Sequence, residues 1–163
     1  MGSETTTVTT EGTELVMERV FNAPRELVWA AFTEAEHVRR WWGPKGTTVT
    51  VVEMDVRPGG TWRYVTHGPD GQDAPFKGEY LEVVPNERIV RTFVFDVEPF
   101  NDHSAVETLT FEDLGGRTKV STRSRYSSRE ALDGALAAGM EQGATETYDR
   151  LADILTELTT GLN

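Results

Sequence analysis

The chain has 163 residues, a formal net charge of −11 and no cysteine. Its length fits one domain with one hydrophobic core. The negative charge argues against nucleic acid and anionic membranes as partners, because binding to phosphate groups needs a basic surface. The lack of cysteine excludes disulfides, thiolate nucleophiles and cysteine-based zinc sites, and it fits a reducing cytoplasm, which is the location we predict.

The polar N-terminus MGSETTTVTTEG has neither the basic region nor the apolar stretch of a signal peptide. No apolar run in the chain approaches the roughly 20 residues of a membrane span. We therefore predict a flexible polar leader over residues 1–12, followed by a single domain over residues 13–160.

The N-terminal part of the domain, up to Trp42, is predicted to form one strand and two short helices. Thr13–Phe21 is rich in β-forming residues. One helical face carries Leu27, Val28, Ala31 and Phe32, with Trp29 beside it. A second short helix ends at Trp42, because Gly43-Pro44 cannot continue it.

Six further segments have strand composition and are separated by short turn-like links. They are Thr48–Val56, Thr61–His67, Phe76–Val84, Arg88–Val97, Ser104–Glu112 and Thr118–Tyr126. Links of hairpin length predict an antiparallel sheet.

The last third of the chain changes to a helical period. Apolar residues recur every three or four positions from Leu132 to Leu158, which predicts one long amphipathic helix after a cap at Ser128. Gly139 and Gly143 lie inside this helix at a cost of about 1 kcal/mol each relative to Ala. We expect them either to let the helix approach a neighbour closely or to leave space beside it. The predicted fold class is α+β: a curved seven-stranded antiparallel sheet wrapped around a long C-terminal helix, with two short helices after strand 1.

Five segments together resemble a known family: ERVFNAPRELVWAAFTEAEHVRRWWGP, DVRPGGTWRY, FKGEYLEVVPNERIV, LTFEDLGGRTKVS and GMEQGATETYDRLADIL. They are similar to bacterial proteins related to the C-terminal domain of the heat-shock protein ninety ATPase activator, in the START-like (SRPBCC) superfamily. The resemblance spans Leu15 to Leu158. It implies a helix-grip fold that encloses an apolar cavity for a hydrophobic small molecule. Thr145 and Thr147 depart from the bulkier aromatic residues that relatives often carry there, which implies a larger cavity.

Strand alternation and the helical period predict which residues line this cavity. The candidate ligand-binding residues are Trp42, Trp62, Tyr64, Phe76, Phe93, Phe95, Glu107, Tyr126, Leu136, Met140 and Gly143. We expect Trp41 to be structural and Trp42 to lie nearer the cavity mouth. The alternative, that the inner aromatic side chains simply fill the core, stays open at this point.

Glu107 is the most unusual acid, since alternation along Ala105–Phe111 places it on the covered face of the sheet. One interpretation is a general acid or base, or a group that binds the ligand. The other is a carboxylate near a sheet end, in contact with water or with an arginine.

From the remaining sequence motifs we predict no cofactor and no metal site. Glu34 and His37 have a spacing that suits a metal, but nothing in the sequence supplies further ligands. Asp102, His103 and Ser104 cannot form a catalytic triad, because adjacent side chains of an extended segment point to opposite faces.

The leading prediction is the binding of a hydrophobic small molecule, as a carrier or sensor. The alternative is an enzyme similar to polyketide cyclases, in which Glu107, with Tyr64 or Tyr126, performs general acid–base catalysis. A chaperone-associated role is weaker, because the eukaryotic activator works with an additional N-terminal domain. Neither nucleic acid nor a membrane is expected as a partner, and a homodimer is compatible with the sequence.

Overall fold

The structure, a computed structural model, describes residues 6–98, 101 and 104–160. In these residues it has eight strands and four helices: β1 Thr7–Glu11, β2 Glu14–Phe21, α1 Arg25–Thr33, α2 Ala35–Trp41, β3 Thr48–Met54, β4 Thr61–His67, β5 Asp73–Val84, β6 Arg88–Phe95, β7 Ala105–Asp113, β8 Thr118–Arg125, α3 Arg129–Ala137 and α4 Met140–Thr160. None of these four helices combines the length and apolar character needed to cross a membrane.

All eight strands form one antiparallel sheet in the order β1-β2-β8-β7-β6-β5-β4-β3. Irregular register between Val51 and Glu53, and again between Tyr80 and Glu82, marks two bulges in the half of the sheet formed by β3 to β6. Bulges bend strands and increase their twist, which helps a sheet to curve around a helix. The predicted α+β helix-grip architecture is confirmed.

The sheet has one strand more than predicted. Residues 7–11, which we assigned to a flexible leader, form β1 and pair with β2 from Glu11↔Glu14 to Thr7↔Glu18. Gly12, at a φ of +60°, allows the tight turn between the two strands. The leader prediction is therefore wrong for these five residues, and residues 1–5 lie outside the described part of the chain.

The C-terminal helical segment is interrupted once. Ser128 caps α3 as predicted, its hydroxyl accepting a hydrogen bond from the backbone N–H of Ala131 at 3.1 Å. Gly139, at a φ of +89°, then ends this first helix, and α4 begins at Met140. The prediction of one uninterrupted helix is wrong at this point. Gly139 does not continue the helix but adopts the left-handed conformation that commonly terminates helices.

The main core lies between the sheet, the two short helices and the middle of α4. Phe32 of α1 contacts the rings of Trp41 at 4.9 Å and Phe111 at 5.3 Å, and Tyr148 and Leu151 of α4 are buried in the same cluster. Toward the N-terminal end of α4 the packing is incomplete, and a cavity opens there.

Candidate functional site

A cavity of about 340 Å³ lies between the inner face of the sheet and the C-terminal helices. This volume falls within the range of small-molecule sites, about 300–1,000 Å³. The sheet contributes Leu15, Met17, Phe76, Arg91, Phe93, Phe95, Ala105, Glu107, Leu109, Thr122 and Ser124. The remaining lining residues are Phe32, Trp41, Trp42, Gly43, Pro44, Tyr126, Ala131, Ala135, Ala138, Gly139, Met140, Gly143, Ala144, Thr147 and Tyr148.

Four aromatic side chains line the cavity on the side of β5, β6 and the segment after α2. The ring of Phe76 lies 5.0 Å from that of Trp42, 5.6 Å from that of Phe93 and 5.1 Å from that of Phe95. Phe93 and Phe95 share a face because side chains alternate along β6, and Phe76 lies directly opposite Phe95 on β5. Together they form an apolar surface of ring faces and edges.

Small residues line the cavity on the side of the helices. Ala131 and Ala135 come from α3, and Gly143 and Ala144 come from α4. Apart from its own helix backbone and chain neighbours, no heavy atom of the described residues lies within 4 Å of the position that a Cβ would occupy on Gly143. The space is therefore left open by the small size of these residues.

The loop after α2 is fixed to α4 at the edge of the cavity. The Arg150 guanidinium donates hydrogen bonds to the carbonyls of Gly43 at 2.9 Å and Pro44 at 3.1 Å, and Glu146 accepts one from the backbone N–H of Lys45. Partial burial lowers the pKa of Arg150. These contacts hold Gly43 and Pro44, which line the cavity, against α4.

A buried ion pair lies on the sheet side of the cavity. Arg91 of β6 and Glu107 of β7 are opposite each other in the sheet, and the Arg91 Nε donates to Glu107 Oε1 at 2.9 Å. The side chains are only 7% and 15% exposed. Burial opposes the charge of Arg91, but the Glu107 carboxylate, together with the nearby Tyr80 and Tyr64 phenols, outweighs this effect and raises the pKa of Arg91 above its usual range. The guanidinium also lies over the Trp62 ring at 4.7 Å, which fixes its orientation.

Hydroxyl groups surround this ion pair. Ser124 lies opposite Glu107 on β8, and the Thr122 and Tyr148 hydroxyls are hydrogen-bonded at 2.7 Å. Burial raises the pKa of Tyr148 to about 12, although the Thr122 hydrogen bond opposes the rise. Burial and the Glu107 charge also raise the pKa of Tyr126. Both phenols are therefore neutral near pH 7.

Eight of the eleven predicted site residues line the cavity: Trp42, Phe76, Phe93, Phe95, Glu107, Tyr126, Met140 and Gly143. Glu107 is paired with an arginine, as one of the two interpretations of its position proposed.

The other three predicted residues, Trp62, Tyr64 and Leu136, do not line the cavity. Trp62 and Tyr64 are each 1% exposed and lie in contact with the Trp42 ring, at 6.3 Å and 5.0 Å. Trp42 lies between them and the open space. Leu136 does not line the cavity either; the α3 residues that do are Ala131 and Ala135.

Arg91 is the main residue that the sequence analysis did not select. Its position two residues before Phe93 was a usable signal, because it gives Arg91 the same inward phase. Tyr148 and Thr122 were missed as well, since their contact joins a helix to a strand far away in the sequence.

One of the remaining motifs gains a further potential metal ligand in the structure, because Glu36 lies with Glu34 and His37 and the ligand atoms of all three are within 4.8 Å of one another. Glu34, Glu36 and His37 lie close together on α2 and the residue before it, but both acids are exposed, and His37 Nε2 lies 3.6 Å from Glu34 Oε1. Asp102 and His103 lie outside the described residues.

Comparison with known proteins identifies the family. A family model described as "Activator of Hsp90 ATPase homolog 1-like protein" matches residues 22–156. A Mycobacterium smegmatis protein of known crystal structure has 28% sequence identity to this chain. The two structures have a TM-score of 0.84, and the match covers 93% of this chain and 96% of that chain. A Chromobacterium violaceum protein is 27% identical, with a TM-score of 0.75 over 88% of this chain and 96% of that chain.

A solution structure of an Arthrobacter aurescens protein, 24% identical, has the same fold, with a TM-score of 0.87 over 93% of this chain and 91% of that chain. No curated protein matches the chain significantly. Because the family model covers most of its length, the chain belongs to the activator of Hsp90 ATPase homolog 1-like family of the SRPBCC superfamily.

Proposed function

We propose that this protein binds a hydrophobic small molecule between the sheet and the C-terminal helices, as a carrier or sensor. The observation that supports this most strongly is an unfilled cavity of about 340 Å³ whose lining is mainly apolar. Protein cores are close-packed and rarely keep voids larger than a water molecule, which occupies about 30 Å³. Proteins with the SRPBCC fold often bind hydrophobic ligands, which agrees with this proposal.

An enzyme similar to polyketide cyclases is the second candidate, because Glu107 lies in the cavity where such a reaction would need an acid or base. Two observations favour binding. Glu107 is already hydrogen-bonded to Arg91, and the described lining contains no second carboxylate and no histidine. A chaperone-associated role is the weakest proposal, since only the family description supports it.

Titration with the neutral dye N-phenyl-1-naphthylamine tests the binding proposal. We expect saturable dye fluorescence, with energy transfer from Trp41 and Trp42, which both line the cavity. Gly143→Leu should weaken dye binding at least 10-fold, because the added side chain enters the open space beside α4.

Gly134→Leu is the matched control. Gly134 is also helical and has no heavy atom near its Cβ position, but it does not line the cavity. This variant should bind the dye like the unmodified protein. Dye binding that does not saturate, or that is equal in a correctly folded Gly143→Leu variant, would contradict the proposal.

A further inference from the structure

Three polar side chains on the outer face of the sheet form a hydrogen-bonded chain. His67 Nδ1 lies 2.8 Å from Asp73 Oδ1, and His67 Nε2 lies 2.7 Å from the Thr50 hydroxyl oxygen. None of these three residues lines the cavity. Any role of this Thr50–His67–Asp73 chain is therefore separate from ligand binding in the cavity.

The pairing of three neighbouring strands brings these side chains together. His67 at the end of β4 lies directly opposite Asp73 at the start of β5. On the other side of β4, Thr48 of β3 lies opposite His67, and Thr50 follows Thr48 on the same face of the strand. This face is the outer one, because Thr66, which alternates with His67, is buried. The arrangement depends on strand register, so the sequence did not reveal it.

The contacts define where the hydrogens of the imidazole lie. A carboxylate only accepts hydrogen bonds, so the ring nitrogen beside Asp73 carries a hydrogen. In the neutral ring, Nε2 then carries none and accepts a hydrogen bond from the Thr50 hydroxyl. A hydroxyl, an imidazole that takes its proton and a carboxylate that orients the imidazole are the groups that activate a nucleophile in many hydrolases. His67 is therefore placed to act as a base toward Thr50.

The edge position of β3 supplies a further group that such a reaction needs. β3 is the last strand of the sheet, so alternate backbone N–H groups of this strand have no strand partner. The Gly68 N–H donates to the Gln72 carbonyl, so Gly68 and every second residue before it in β4 bond to β5. Val65 belongs to the alternate set and bonds to Thr50 across β3 and β4. The next N–H along β3, that of Val51, consequently faces the free edge and can donate to an oxyanion that forms beside Thr50.

We propose that Thr50 is a nucleophile that accepts acyl groups from activated esters, with His67 as its general base and Asp73 as the residue that positions His67. The Thr50 oxygen forms a bond to the ester carbonyl carbon while His67 Nε2 takes the hydroxyl proton. The bond between this carbon and the leaving oxygen then breaks, and a phenolate leaves with the electron pair. The products are an acyl-threonine, the phenolate and a protonated His67, which gives its proton to water.

The surroundings of Thr50 favour small, uncharged acyl groups. Val65 lies opposite Thr50, and Val52 further along β3 is 57% exposed, which provides apolar surface. The Asp73 side chain is 60% exposed and repels anionic esters. Water reaches such an open site and hydrolyses the acyl-threonine in turn, with His67 taking a proton from the water and returning it to the Thr50 oxygen. The overall reaction is the hydrolysis of an ester to a carboxylic acid and a phenol.

Incubation with p-nitrophenyl acetate at pH 7 tests the proposal. We expect release of nitrophenolate together with one added acetyl group, which mass spectrometry of the acid-quenched protein and its peptides locates on Thr50. Thr50→Ala should abolish this adduct, and Thr50→Ser should keep it at the same position. His67→Gln should slow the acetylation by roughly 10²–10⁴-fold, the usual contribution of a general base.

Two further comparisons separate catalysis from a structural contact. Asp73→Asn should slow acetylation at least about 10-fold, and Asp73→Glu should recover part of the rate because it keeps a carboxylate for His67 Nδ1. Thr48→Ala is the matched control, since Thr48 is exposed on the same face of β3 and lies opposite His67, and it should leave the rate unchanged. Circular dichroism and urea unfolding show whether each variant keeps the fold, so that a lost rate is not a lost structure.

Three results would overturn the proposal. The first is acetylation of Thr50 that is no faster than that of Thr48. The second is an unchanged rate of Thr50 acetylation in a folded His67→Gln variant. The third is nitrophenolate release that persists in Thr50→Ala but is lost in His67→Gln, since His67 would then react with the ester directly. None of these results depends on whether the cavity binds the dye.

Discussion

Trp41 and Trp42 are neighbours in the sequence but have different surroundings. Trp41 is 1% exposed, its indole N–H donates to the Ala31 carbonyl at 3.0 Å, and its ring contacts Phe32. Trp42 is half-buried and contacts Phe76 at the cavity. The change from helix to extended chain after Trp41 turns the two side chains to different environments.

We expect Trp41→Ala to lower the free energy of unfolding by about 3–5 kcal/mol, the usual cost of removing a large buried aromatic side chain. The midpoint and slope of urea unfolding measure this change. Trp42→Ala is the comparison, and it should cost less stability. A shift of only a few tenths of a kcal/mol for Trp41→Ala would show that its ring contributes little to the core.

The Arg91–Glu107 ion pair shows which properties of single residues could be predicted from the sequence. Alternation alone placed Glu107 on the covered face, and the same rule gives Arg91 the phase of Phe93. Their contact depends on the register between β6 and β7. A segment of about ten residues joins these strands, and its sequence contains no turn motif that would fix the register.

At the scale of elements, the division of the C-terminal segment at Gly139 shapes the helical side of the cavity. Ending α3 there lets it present Ala131 and Ala135 to the cavity, while α4 presents Met140 and Gly143. The sequence did not reveal the break, because the apolar period of three and four residues continues across it. Gly139 and Gly143 look alike in the sequence but have opposite backbone roles.

Alanine substitutions should separate these two glycines. Gly139 has a φ of +89°, so Gly139→Ala should cost about 1–2 kcal/mol of stability through backbone strain. Gly143 is helical, so Gly143→Ala should stabilise the protein by up to about 1 kcal/mol. Neither Cβ would meet a heavy atom within 4 Å, so packing contributes little to either change.

Urea unfolding of both variants measures the two effects. Equal changes in the two variants would contradict a helix break at Gly139.

β1 was missed for a different reason. Its side chains are mostly exposed on both faces, so the strand lacks the alternation of apolar and polar residues that a half-buried strand shows. Its formation depends on pairing with β2 through the turn at Gly12. Edge strands of this kind are specified by backbone hydrogen bonds to a neighbour more than by their own side chains.

At the scale of the whole molecule, the sequence separates the core from the cavity only in part. Trp62, Tyr64, Phe93 and Phe95 all share the inner face of the sheet, but the first two are covered and the last two line the cavity. The alternation of side chains along a strand predicts which face of the sheet a residue lies on, but not how deeply it is buried. Which inner side chains are covered depends on the course of the loop carrying Trp42 across the curved sheet.

The buried phenols give the whole protein a predictable response to alkaline pH. Burial raises the pKa of Tyr148 from 10.0 to about 12, and it also raises those of Tyr64 and Tyr126. The folded state therefore holds these protons more tightly than the unfolded chain does. The resulting stabilisation is fully present below pH 10 and is lost as the pH rises toward 12, because the unfolded chain then binds fewer protons than the folded one.

Tyr148→Phe isolates the contribution of one of these phenols. At pH 7 the variant should be less stable by about 0.5–1.5 kcal/mol, because the Thr122 hydroxyl loses its hydrogen bond to Tyr148. Above pH 10 the free energy of unfolding of the unmodified protein should fall by up to about 1.4 kcal/mol per pH unit more than that of the variant. The two free energies should therefore converge. Urea unfolding of both proteins between pH 7 and pH 11.5 measures the difference. If the two curves run parallel over this range, the phenol of Tyr148 ionises as readily in the folded protein as in the unfolded chain, and burial does not act on it as we infer.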